Sequence, residues 1–150
     1  MVVKDIQRKS TIHSGLLVLR VGMGIMFLTH GYPKIAGGPE VWGGIGSAMG
    51  VFGITFAPAM WGFFAALSEF GGGLLLIAGM GVRIAAAFMA FTMAVATAKH
   101  LAAGDGISGA SHALEAGIVF LSLVVMGAGR FSFDAWLKHR TIGEKPEDHE

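Results

Sequence analysis

Residues 58–80 read PAMWGFFAALSEFGGGLLLIAGM, an apolar run in which Glu69 is the one charged residue. A run of about 20 apolar residues is what a helix needs to cross a bilayer. A carboxylate inside such a span must be partnered, neutralised or functional.

The rest of the chain has the same character. Of its 150 residues 53% are hydrophobic and 14% charged, and mean hydropathy is +0.64. An average soluble domain carries about 25% charged residues. The chain reads as an integral membrane protein with one compact helical domain over residues 12–137, an N-terminal tail over 1–11 and a C-terminal tail over 138–150 that ends in the mostly acidic GEKPEDHE.

Composition also excludes chemistry. With no cysteine there is no disulfide exchange, thiolate nucleophile, iron–sulfur cluster or zinc–cysteine site. The net charge of +1 says nothing about nucleic acid, but no basic cluster is interleaved with aromatics, so nucleic acid is not an expected partner. No GxxxxGK[ST] is present and no strand precedes any glycine pattern, which disfavours nucleotide hydrolysis.

Four apolar segments emerge: Ile12–Thr29, Pro58–Met80, Arg83–Ala98 and His112–Ala128. Lys4, Arg8 and Lys9 before the first suggest a signal peptide, but Arg20 interrupts the run and no Ala-x-Ala follows, so it is expected to be retained. Pro33 biases Tyr32 away from helical geometry, and HGYPK is expected to end the first helix. Pro58 suits the first turn of the second. Gly79 and Gly81 predict a tight turn that makes the second and third helices antiparallel neighbours.

Lys and Arg outside the spans set orientation. Lys4, Arg8, Lys9, Arg83, Arg130, Lys138, Arg140 and Lys145 fall on one side, against Lys34 and Lys99 on the other. Both termini are expected to be cytoplasmic. The long glycine-rich break between Gly31 and Ala57, with Trp42, Phe52 and Phe56, predicts a re-entrant or interfacial helix near Val41–Val51 over the outer mouth. After the last span, Ser132 is expected to cap a short amphipathic helix with Phe133, Trp136 and Leu137 on one face and Asp134 in its first turn.

Depth suggests a partner for Glu69. Counted from Ile12, Arg20 lies about 12 Å into the first span, and counted from Pro58, Glu69 lies about 16 Å into the second. Both therefore fall near the midplane, where an unpaired charge costs roughly 2.5–3.5 kcal/mol on the lenient scale. An Arg20–Glu69 pair is expected, either fixing register or serving a substrate, proton or quinone site.

A second group gathers at the outer end: His30, Lys99, His100, His112 and Glu115. His30 is expected within reach of Glu115, an arrangement suited to proton uptake. Haem or metal is disfavoured, since no ligand spacing such as HExxH occurs and the histidines sit at helix ends. His13, His139 and His149 read as tail residues. Ala86, Ala90, Ala94 and Ala98 recur every four residues and offer one close-packing face, toward a helix of this chain or a second copy.

In order and layout these features resemble the DoxX family. The carriers are Arg20, Gly22, Gly24, Phe27 and the exit motif His30-Gly31-x-x-Lys34, then Glu69 followed by glycines, then Arg83 and an alanine-rich helix, then Glu115 and the close Gly127, Gly129, Ser132 and Asp134. The resemblance covers Gly15 to Trp136. It implies a four-helix protein of the bacterial inner (plasma) membrane, and some relatives are associated with quinone-linked redox complexes. Site candidates are Arg20, His30, Lys34, Glu69, Arg83 and Glu115, with His100, His112 and Asp134 as secondary candidates.

Three functions are compatible with these residues. The chain could be a subunit of a membrane oxidoreductase, with quinone as the candidate cofactor beside Arg20 and Glu69 and other oxidoreductase subunits as partners. It could bind or transport a lipid-like molecule in an apolar cavity lined by Phe63, Phe64 and Phe70 with Glu69 at its polar end. Or it could be a structural assembly partner in which the charges only fix the fold. Membrane lipids are partners in all three readings.

Overall fold

The computed structural model describes residues 2–143. The acidic tail with His149 and the side chain of His139 lie outside the described residues. Six α-helices follow one another: α1 (Val2–Ala36), α2 (Gly38–Gly46), α3 (Pro58–Ala78), α4 (Val82–Ala102), α5 (Gly106–Met126) and α6 (Phe133–Gly143). A 3₁₀ turn, Ser47–Phe52, continues α2.

Four segments are long and apolar enough to cross a membrane: Ser10–Ala36, Pro58–Ala78, Val82–Ala102 and Gly106–Met126. They form a four-transmembrane-helix bundle in which α3 lies between α1 and α4, α4 lies against α5, and Phe27 of α1 meets Phe120 of α5 edge to face at 4.7 Å. The core between them holds Phe27, Leu76, Val82, Met89, Phe120 and Leu123. The outer surface is apolar, with Val18, Ile84, Phe88, Ile118 and Val125 all exposed, as lipid-facing positions require.

The first helix runs past the expected exit. Pro33 sits inside α1, which ends at Ala36. Proline there removes one i→i−4 hydrogen bond, to the Thr29 carbonyl, and the last turn is held from outside. Tyr32 packs near Phe70 at 6.3 Å, and the Lys34 carbonyl accepts from Trp42 Nε1 at 2.9 Å. Tertiary ties here override the local bias of Tyr32. The fourth helix likewise begins at Gly106, not His112, which moves His112 and Glu115 inward from its start.

The interfacial helix expected over the outer mouth is present as α2 and the 3₁₀ turn. It packs on α3 by backbone-to-backbone approach: a Cβ on Gly46 would strike the Pro58 carbonyl, and one on Gly62 the Trp42 carbonyl. The α3–α4 turn has Gly79 at φ 70° and Gly81 at φ 57°, a left-handed pair that glycine adopts freely. The short C-terminal helix is also present, with Ser132 Oγ accepting from Ala135 N at 3.2 Å. The alanine stripe divides: Ala86 and Ala90 are buried within the bundle, whereas Ala94 and Ala98 line a shallow groove between α4 and α5.

Candidate functional site

Glu69 is buried at 3% exposure, but its partner is Lys34 and not Arg20. The Lys34 ammonium donates to both carboxylate oxygens, at 2.7 Å to Oε1 and 2.6 Å to Oε2. Lys34 reaches down from the last turn of α1, the turn that was expected to lie beyond the helix.

Arg20 fails to reach Glu69 because the two helices are offset. The backbone of α1 approaches α3 at Gly31 against Glu69 and Phe70, and at Gly24 against Gly73 and Ile77. That antiparallel register places Gly31 at the level of Glu69, and Arg20 lies about 16 Å further along α1. Counting from each first apolar residue misplaced it, since the apolar start of α1 overhangs the end of α3, where Gly79 meets the Arg20 guanidinium.

Arg20 has a different task at the other end of the bundle. It is 2% exposed and donates to the carbonyls of Leu76, at 3.4 Å, and Phe131. The Asp134 carboxylate acts on it electrostatically. Asp134 also accepts from Gly81 N at 2.9 Å through Oδ1 and donates its own N–H to the Gly79 carbonyl at 3.1 Å. Arg20, the Gly79–Gly81 turn and the start of α6 form one knot that ties three parts of the chain. Arg83 lies nearby and donates to the Val125 carbonyl at 3.2 Å from an exposed position.

The outer histidines divide as well. His30 packs on His112 with ring centroids 5.5 Å apart and on Phe27 at 6.2 Å. The expected His30–Glu115 hydrogen bond does not form: Glu115 is exposed on α5 and, among the described residues, makes no hydrogen bond or ion pair. His100 Nδ1 instead meets Asp105 Oδ2 at 2.8 Å, both groups being exposed. Among the described residues no group of three or more metal-ligating side chains assembles. His13, expected to be a tail residue, accepts weakly from Arg130 N at 3.4 Å.

Lys34 and Glu69 open onto a cavity of ≈ 910 Å³ between α3 and α4, roofed by Gly44–Met49 of α2 and the 3₁₀ turn. Ligand pockets span roughly 300–1,000 Å³. Its rim carries the exposed side chains of Phe64, Leu67, Ile84, Phe88 and Phe91, so it opens sideways toward lipid. Of the three phenylalanines expected to line it, Phe64 does; Phe63 packs instead on Trp42 at 5.0 Å, and Phe70 on Tyr32.

Sequence reading missed several lining residues. On α3 Trp61, Ala65, Ser68, Gly72 and Leu75 share one helical face, and on α4 Ala85, Phe88, Thr92, Val95 and Lys99 share another. The signal was there, since Trp61 and Ser68 are the polar-capable residues on the Glu69 side of α3. Trp61 Nε1 and Ser68 Oγ are buried without a hydrogen-bond partner. An unpaired buried donor costs about 1–3 kcal/mol, and the third such atom among the described residues, Arg20 Nε, lies at the other end of the bundle.

Against known proteins, the family model described as DoxX matches residues 15–102. Inner membrane protein YqjF of Escherichia coli (strain K12) is 34% identical over 131 residues, spanning 84% of this chain and 94% of that protein. No solved structure matches the chain.

Proposed function

The chain belongs to the DoxX family, and from that premise we propose that it is an inner-membrane protein holding a lipid-like small molecule in the cavity between α3 and α4, polar end toward Lys34 and Glu69. The inner-membrane placement follows the name of the E. coli relative. The observation that carries the binding reading is the laterally open cavity of ≈ 910 Å³ with a buried ion pair in its wall. A fully packed bundle would have needed neither the space nor the charges.

A redox-complex subunit that binds quinone is a narrower form of the same reading. A quinone is a lipid-like molecule whose carbonyls could accept from Lys34, so it would occupy this cavity. Arg20 takes no part in either form, because it lies at the opposite end of the bundle, outside the cavity lining and about 16 Å along α1 from the level of Glu69. Its hydrogen bonds to the Leu76 and Phe131 carbonyls support a structural role for it.

Mass spectrometry of small molecules extracted from purified protein tests the proposal. Wild-type protein should retain an amphiphile, and Gly71→Leu should lose it, because Gly71 lines the cavity and a Cβ there meets only Leu67 Cδ1 at ordinary contact distance. Equal retention by both proteins, or none by the wild type, would defeat it.

A further inference from the structure

The cavity is chemically graded along its length. Toward the roof its wall carries Trp61, Ser68, Glu69, Thr92, Lys99 and His100 together with Lys34 of α1. Toward the α3–α4 turn it carries Leu75, Ile84, Ala85 and Phe88, with no polar side chain. Thr92 to Lys99 spans ~10 Å of helix axis, so the polar zone covers about two turns. A molecule that fits this gradient has one polar head and one apolar chain, the chain pointing toward the α3–α4 turn.

The uncommitted polar groups in that zone are mostly donors, though the Ser68 hydroxyl can accept as well. Trp61 Nε1 can only donate and has no partner. The Lys34 ammonium has three N–H groups, two directed at Glu69 and one left over. Lys99, exposed at the end of α4, makes no ion pair among the described residues. The only acidic side chain in the lining is Glu69, and both its oxygens are taken by Lys34. Lys34 and Glu69 cancel, the Asp105 carboxylate is held on His100 from outside the lining, and Lys99 is left as the cation of the lining without an ion-pair partner among the described residues.

Resting on the reading above, we infer that the cavity selects an amphiphile with an anionic, hydrogen-bond-accepting head, a carboxylate or a phosphate, seated among Lys34, Trp61 and Lys99. A cationic or donor-only head would meet unpaired donors and a like charge, and buried groups left unpaired are what make polar sites discriminate.

Native mass spectrometry of the full chain in micelles, titrated separately with stearate, methyl stearate, stearylamine and phosphatidylglycerol, tests this. Stearate or phosphatidylglycerol should bind at least fivefold more tightly than both stearylamine and methyl stearate, and Gly71→Leu should abolish the binding. Tighter binding of stearate assigns a free carboxylate, tighter binding of phosphatidylglycerol a lipid headgroup, and each sustains the inference. Lys99→Gln, a change at an exposed position, should weaken the anionic probes by roughly two- to fivefold and leave the others unmoved, the scale of a partly exposed ion pair. Cavity-dependent binding of stearylamine or methyl stearate as tight as that of the anions overturns the inference while keeping a lipid-like ligand. Saturable binding of none of the four overturns both.

Discussion

Lys34 closes on Glu69 with both carboxylate oxygens within 2.7 Å of one ammonium, across α1 and α3, at the wall of the cavity between α3 and α4. The two groups differ in burial: Glu69 is 3% exposed and Lys34 35%. Nearly all of the desolvation cost therefore falls on the carboxylate, and Lys34 keeps one side toward the cavity.

Glu69→Gln should destabilise the protein by about 1–3 kcal/mol. Breaking a fully buried pair costs about 3–5 kcal/mol, and Lys34 recovers part of that through its exposure. Removing both partners in Lys34→Met/Glu69→Leu leaves no orphaned charge and should return stability to within about 1 kcal/mol of wild type. Denaturant titration in mixed micelles reads both. A double variant as unstable as the single would mean that the pair holds the fold by more than mutual neutralisation, and the double variant should in any case bind no amphiphile.

The seating of α2 on α3 depends on two absent side chains. Gly62→Ala would drive a methyl into the Trp42 carbonyl, and Gly46→Ala into that of Pro58. Neither neighbour is a flexible side chain, so each substitution should cost about 1–3 kcal/mol, the overpacking range. Each should also lift the roof from the cavity, read as faster hydrogen exchange over residues 38–52. Gly22 has open space at its Cβ position, and Gly22→Ala should be neutral or gain up to about 1 kcal/mol from helix propensity. Comparable losses at all three would show that glycine flexibility, not close approach, is what these helices require.

Orientation can be read directly because the chain has no cysteine. Single cysteines in place of Ser10, Met80 and Ala103 would each be the sole thiol. All three positions are exposed, at the start of the first span, the α3–α4 turn and the α4–α5 turn. With four spans, Ser10 and Met80 share a side opposite Ala103, and the Lys and Arg bias makes that shared side cytoplasmic. A membrane-impermeant maleimide on intact cells should therefore label Ala103→Cys alone. Labelling of Ser10→Cys instead would invert the topology.

Much of the fold was legible because span length and apolar composition are dictated by the bilayer, and the sequence offered no competing pattern. The second span began at Pro58 as proline at a first turn predicts, and Gly79 and Gly81 marked the next turn. Ser132 capped α6 as its position before an apolar run suggests. What failed was lateral register. Depth counted from each first apolar residue assumes that the two spans start level, but Arg20 meets the far end of α3 at Gly79, so the apolar start of α1 overhangs α3 and Arg20 was paired with the wrong level. The Lys34–Glu69 pair was hidden by a different error, a helix expected to exit through HGYPK before Lys34. Glu69 was nonetheless a sound marker of the cavity, since its burial needed a partner whichever residue supplied it.

Arg20 provides the sharpest separation of structure from function. Its guanidinium bonds to the Leu76 and Phe131 carbonyls, and Asp134 binds Gly81 N from the same knot. A charged hydrogen bond to a carbonyl is worth about 1.5–3 kcal/mol, and one of these two is long at 3.4 Å. Arg20→Met should accordingly cost about 2–3 kcal/mol and free the start of α6, raising hydrogen exchange over residues 131–137. Asp134→Asn keeps the acceptor for Gly81 N and loses only the charge, so its effect should be smaller and confined to the same segment. Neither variant touches the α3–α4 cavity, so any retained amphiphile should persist in both at wild-type stoichiometry. Loss of the amphiphile from a still-folded Arg20→Met protein would restore Arg20 to the binding site and contradict the division of the chain into a structural knot at one end and a ligand cavity at the other.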